Sequence, residues 1–164
     1  MTASLRGRPP GLRGLAALAS LWLACGPAGQ PAASALPDFE LPLLGGGTLR
    51  LSELRGKRVL IDFWATWCEP CVFQVPELNA LWRERRDAGV AILGIAVDLE
   101  GAAVVGPWVA EQRVEYPILL GSESLAFDFG VLGFPALVVV EPDGRVGQIH
   151  LGIASREELI AMLR

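Results

Sequence analysis

Apolar positions follow different rhythms along this chain, and each rhythm predicts a different element. Val59–Ala65 (Val-Leu-Ile-Asp-Phe-Trp-Ala) and Val90–Val97 are nearly continuous apolar runs, the pattern of strands buried on both faces. After Cys68 the spacing turns helical. Val72, Val75, Leu78, Leu81 and Trp82 recur at three and four, Arg83-Glu-Arg-Arg86 reads as a solvated helix face, and Gly89 supplies the stop. Ala102–Gln112 reads as helical but broken or restarted at Pro107, where proline suits a first turn. Pro117–Leu120 predicts a short strand and Ser122–Phe129 a helix. Ala136–Val140 and Arg145–Leu151 flank Glu141-Pro-Asp-Gly144, a strand–turn–strand hairpin. Ser155 with Glu158 forms a capping box that starts a last helix running to Arg164. Upstream, Phe39–Leu44 and Thr48–Leu51 flank three glycines as a first hairpin, followed by a helical turn over 52–56 closed by Gly56. The order β-hairpin, β, α, β, α, β, α, β, β, α predicts an α/β domain over 38–164, a mixed sheet flanked by helices.

Composition fits one domain of ordinary size, since 52% of the 164 residues are hydrophobic and supply a sizeable core. The first 25 residues read differently, as a signal peptide or membrane anchor. Arg6, Arg8 and Arg13 precede the apolar stretch Leu15–Cys25, which has the length of a signal h-region. Leu23-Ala-Cys-Gly26 resembles a bacterial lipoprotein box and makes Cys25 a lipidation candidate, whereas Ala33-Ser-Ala35 fits ordinary signal peptidase. Residues 26–37, small and proline-bearing, suit a linker. All of these readings place the domain in an extracytoplasmic space, the periplasm or outer face of the cytoplasmic membrane, where disulfides persist. Without the three leading arginines, 11 of the 14 basic residues stand against all 18 acids, a formal charge of −7. Such a surface argues against nucleic acid as a partner.

Cysteine counting then isolates a pair. With Cys25 lipidated or removed, Cys68 and Cys71 remain, in Trp64-Ala-Thr-Trp67-Cys68-Glu69-Pro70-Cys71, at a strand–helix junction. A helix N-terminus favours an anion through its unpaired amides and its dipole. A thiol of pKa about 8.5 is only a few per cent ionised at neutral pH, and lowering it to roughly 7 makes about half reactive. Cys71, one turn later on the same helix face, is placed to resolve a mixed disulfide. Pro70 occupies the first turn, where its missing N–H is harmless. Glu69 puts a negative charge between the sulfurs and opposes the dipole. Zinc needs about four ligands, and two cysteines with the single His150 are too few. His150 itself reads as a surface or core residue. A copper-binding or chaperone module would use the same two thiols, without a Met or His cluster in support. A purely structural disulfide would close a tiny loop and stabilise little.

The chain resembles the thioredoxin superfamily, and within it the TlpA/ResA-like branch of extracytoplasmic, membrane-tethered thiol–disulfide oxidoreductases. The resemblance is carried by Pro37–Leu41, Leu51–Lys57, Val59–Cys71, Gly130-Val-Leu-Gly-Phe-Pro135 and Asp143-Gly-Arg145. It implies a thioredoxin-like sheet with an N-terminal β-hairpin and a central βα insertion. It further implies that Cys68 is the exposed nucleophile and Cys71 the resolving thiol, their disulfide being the redox centre with no other cofactor. A cis peptide before Pro135 packed beside the sulfurs is implied, and Pro76 matches a kink proline. Asp62, a carboxylate in an apolar strand, either points to solvent or caps, or matches the buried acid that accepts a proton from the resolving cysteine. Gln74 stands where many relatives carry glutamate. By the same resemblance the substrates are protein thiols and disulfides, apocytochrome c among them, and a membrane electron donor re-reduces the pair. The acid at Glu69 and at Asp62 leans toward a reductase. The N-terminal half also resembles peroxiredoxins, but Ala65 stands where those place threonine, three residues before the reactive cysteine.

Overall fold

The computed structural model describes residues 38–164; the expected export segment, Cys25 and the linker lie outside them. Strand β3 (Arg58–Trp64) occupies the centre of a five-stranded sheet, as its apolar run requires. Parallel to it run β4 (Val90–Ala96) and, at the edge, β5 (Ile118–Leu120). Antiparallel on the other side lie β6 (Ala136–Val140) and β7 (Val146–Leu151), giving the order β5-β4-β3-β6-β7. A hairpin of β1 (Glu40–Pro42) and β2 (Thr48–Arg50) covers the β5 edge. Leu43 bridges Leu119, and the Leu44 amide donates to the Ile118 carbonyl at 2.9 Å. That edge is thereby closed to other strands.

Side chains alternate across the sheet, so successive residues of β3 face different layers. Phe63 meets Phe129, 5.6 Å between ring centroids, at the end of α3 (Glu123–Asp128). Trp64 stacks on Trp108 of α2 (Ala102–Gln112) at 4.2 Å on the opposite face. Helix α1 (Val75–Arg85) shares the α2 face, because buried Asn79 donates to the Arg113 carbonyl and accepts from the Glu115 amide, both at 2.8 Å. Helix α4 (Arg156–Met162) is tied to α1 by Arg156, which pairs with Glu77 and Glu84.

Three sequence expectations are adjusted. The helical rhythm after Cys68 is two elements, a 3-10 turn over Glu69–Phe73 and then α1, with the break at Gln74. Prolines at 70 and 76 explain it, since a continuous helix would need an amide at Pro76 that proline lacks. Conversely, α2 runs unbroken through Pro107. The fully buried Val105 and the Trp64–Trp108 stack outweigh the missing bond there. The last helix stops at Met162 rather than Arg164. Its start is as expected: the Glu158 amide donates to Ser155 Oγ, and the Ser155 amide donates to the Glu158 carboxylate. The run Arg83–Arg86 is a solvated face, with Arg83 paired to Glu115 and Arg86 over the Trp82 ring at 4.9 Å.

Candidate active site

Beyond Trp64 the chain leaves the sheet in a tight turn, the Cys68 amide donating to the Ala65 carbonyl at 3.1 Å. Cys68 caps the 3-10 turn, and the Cys71 amide donates back to its carbonyl at 3.1 Å. Their Cα atoms stand 5.4 Å apart, and the sulfurs are joined as a disulfide. The nearest helical dipole is thus that of a five-residue 3-10 turn, with α1 starting only at Val75. In this oxidised state Cys68 is not exposed, at 5% against 3% for Cys71. Bonded to Cys71, it packs into the core cluster that both residues join. The exposed members of the motif are Trp67, Glu69 and Pro70.

Three contacts hold this turn in place, and each reaches a distant part of the chain. The Thr66 amide donates to both carboxylate oxygens of Asp98 at 3.1 Å, and the Thr66 hydroxyl donates to Oδ1. Asp98, only 6% exposed, lies two residues past the end of β4. Trp67 meets Phe134 edge-on at 5.7 Å, and the Phe134–Pro135 peptide is cis. Gln74, fully buried, clamps Ala154 by accepting its amide at 2.7 Å and donating to its carbonyl at 3.3 Å. Two residues earlier the Gly152 amide donates to the Pro135 carbonyl at 2.8 Å. The cysteine turn, the proline loop and the segment before α4 are therefore one hydrogen-bonded and stacked assembly.

Asp62 lies inside β3, buried, in register with Gly94 and Leu137. The solvent-facing alternative for this residue is thereby removed. Its Oδ2 accepts the Tyr116 hydroxyl at 3.0 Å, whereas Oδ1 has no partner among the described residues. Burial pushes its pKa from 3.8 up to about 7, and the Tyr116 hydrogen bond offsets only part of that. The same burial, with the carboxylate beside it, drives the Tyr116 phenol up as well. The neighbouring indole Nε1 of Trp64 is also unpartnered. No Cβ fits opposite: one added at Gly94 would stand 3.0 Å from both that nitrogen and the Tyr116 ring.

Sequence reasoning singled out Trp67, Cys68, Glu69, Pro70 and Cys71, which share one turn, and Pro135, whose loop touches it through Phe134. It missed Asp98 and Tyr116. An acid placed directly after a buried strand was the available signal for Asp98; nothing local marks Tyr116. His150 lies on β7, half-buried, with Nε2 3.4 Å from the Ile153 carbonyl. Among the described residues no three His, Cys, Asp or Glu side chains cluster, and no helix is long and apolar enough to cross a membrane.

Residues 32–149 match the AhpC/TSA family. The thiol–disulfide oxidoreductase ResA of Geobacillus kaustophilus (strain HTA426) is 32% identical over 127 residues, covering 77% of this chain and 72% of that protein. The thioredoxin-like protein YneN of Bacillus subtilis (strain 168) is 29% identical over 124 residues, covering 75% and 73%. Among solved structures, the exposed lipoprotein thioredoxin Etrx1 of Streptococcus pneumoniae strain TIGR4 superposes with a TM-score of 0.69 at 27% identity. It spans 77% of this chain and 97% of that one. The dsbF of MTB, solved in mixed oxidised and reduced forms, gives 0.70 at 27%, over 79% and 95%. A thioredoxin-like fold with a disulfide across Cys68 and Cys71, and relatives of this identity over most of the domain, put the chain in the AhpC/TSA family, among its ResA-like thiol–disulfide oxidoreductases.

Proposed function

We propose that the domain works outside the cytoplasm as a reductase of protein disulfides, with Cys68 as nucleophile and Cys71 as resolving thiol. The observation that carries this is the Cys68–Cys71 disulfide set in a turn that packs, through Trp67 and Phe134, on a cis-proline loop. The reduced Cys68 thiolate attacks one sulfur of the substrate disulfide. The substrate S–S bond breaks, a Cys68–substrate bond forms, and one substrate thiolate leaves. Cys71 then attacks Cys68, its proton passing toward Asp62, and the second substrate thiolate departs. Two electrons have moved to the substrate, and the Cys68–Cys71 bond is restored.

Asp62 suits the proton step because an acid of pKa about 7 exchanges protons near neutral pH. Glu69, exposed between the sulfurs, opposes a stable thiolate and so supports the reducing direction. Re-reduction requires a dithiol donor, and the anchor or lipid tether expected at residues 1–25 matches a donor held in the membrane. Apocytochrome c, whose haem-attachment cysteines must be reduced, is the client class that the ResA relatives suggest. The export segment expected at residues 1–25 agrees with an extracytoplasmic site.

Two measurements test the reading. Cys71→Ser should accumulate a mixed disulfide with substrate on non-reducing gels, and Cys68→Ser should form none. The reduction potential of the pair should lie well below about −120 mV, the region of strong oxidants. A value there would overturn the reductase assignment.

A further inference from the structure

Beside the cis-proline loop the surface carries a hollow of about 150 Å³, lined by Glu123, Val131, Leu132, Gly133 and Phe134. Small-molecule sites run to about 300–1,000 Å³, so this hollow has room for one side chain rather than a separate ligand. Its lining mixes polar backbone with apolar side chains: Val131 is buried, and Leu132 stands 77% exposed. Phe134 packs on Trp67, the residue before Cys68, so the hollow shares a wall with the loop that meets the cysteine turn. Its single charge is Glu123, in the first turn of α3, exposed and in no ion pair among the described residues.

Three further unpaired acids adjoin the cysteine turn and its clamps in sequence. Glu69 lies between the cysteines, Glu100 two residues past Asp98, and Glu157 three past Ala154; all are exposed and without an ion-pair partner among the described residues. Of the unpaired cations, Lys57 precedes β3, at the end away from Trp64 and the cysteine turn. A hollow lined by Val131, Leu132 and Phe134 with one carboxylate matches a lysine or arginine side chain, whose aliphatic stem lies on apolar side chains while its head seeks an anion. Phe134 adds a ring on which a cation is attracted.

We propose that this hollow receives a lysine or arginine next to the reacting cysteine of the protein substrate, with Glu123 as its counter-charge. The inference rests on the exchange chemistry proposed above and names the substrate segment that chemistry prefers: a basic, extended stretch carrying the disulfide.

The test uses the full-length chain, fully reduced, as a single-turnover reductant. Two peptides closed by a disulfide and differing only in lysine or glutamate beside the reacting cysteine are its substrates. The lysine peptide should react about threefold faster, the scale of one partly exposed ion pair. That preference should vanish in Glu123→Gln and invert in Glu123→Lys. Glu111→Lys, an exposed charge reversal on α2 outside the hollow, should keep it. Equal rates for the two peptides, or a preference that Glu123→Gln leaves intact, would overturn the subsite while leaving the exchange reading standing. Loss of the preference in Glu111→Lys would overturn it too, since net charge would then suffice. Failure to reduce either peptide would overturn the exchange reading and the subsite with it.

Discussion

Placing a carboxylate on an apolar strand, away from water, disfavours its charge and so binds its proton more tightly. Asp62 is in that position, with one hydrogen bond from Tyr116 and one bare oxygen. Its pKa of about 7 in the fold against 3.8 in the open chain makes stability depend on pH. Below pH about 4 both states hold the proton and nothing is lost. As pH rises the unfolded chain ionises first, so the folded state loses ground until about pH 7, above which the deficit is constant. The loss between pH 5 and pH 8 is on the order of 3 kcal/mol for a shift from 3.8 to about 7. Asp38, Asp143 and Glu158 do not obscure this window, because hydrogen bonds hold their pKa values low and their effects fall at more acid pH. Urea midpoints of the oxidised protein should therefore fall from pH 5 to pH 8, and in Asp62→Asn they should stay level. A wild-type midpoint that does not move over that interval would show the acid to be solvated.

At the scale of elements, the cysteine turn is positioned less by its own residues than by what is fastened to it. Asp98 takes three hydrogen bonds from Thr66, two residues before Cys68, in a largely water-free setting. Asp98→Ala strands the part-buried Thr66 amide, at a cost on the order of 1 kcal/mol, the lower end of the range for a buried donor. Asp98→Asn keeps an acceptor facing Thr66 and should recover most of that loss. If Asp98 positions the turn, alkylation of the reduced Cys68 thiol should also change its pH profile in the alanine variant and return in the asparagine one. A purely structural role would lower the unfolding midpoint and leave that profile alone.

The elements themselves were legible because their signals are local. The run 59–65, the Pro-Asp-Gly turn and the Ser155 box each carry their instructions within a few residues. The clamps were not legible, because Thr66 and Asp98 are 32 residues apart, Asp62 and Tyr116 are 54, and Gln74 and Ala154 are 80. No local pattern announces such partners. Pro107 shows the converse case, a local breaker overruled by tertiary stacking of Trp108 on Trp64.

For the molecule as a whole, redox state and stability are one linked equilibrium. The difference in unfolding free energy between oxidised and reduced protein equals the difference in potential between the folded and unfolded couples, about 30 mV for each 1.4 kcal/mol. Closing the short Cys68–Cys71 loop removes about 2 kcal/mol of freedom from the unfolded chain in the chain-entropy model. In the fold, the oxidised pair is already buried in the core cluster at 5% and 3% exposure. A reductase needs the folded disulfide to be favoured, so that its dithiol gives electrons away readily. Strong oxidants do the opposite and stabilise their reduced form. The oxidised chain should therefore unfold at higher urea than the same chain in excess dithiothreitol, by about 2 kcal/mol, with an unchanged slope if both states unfold in one step. Greater stability of the reduced chain would reverse the direction of electron flow argued for Cys68 and Cys71, without disturbing their exchange chemistry.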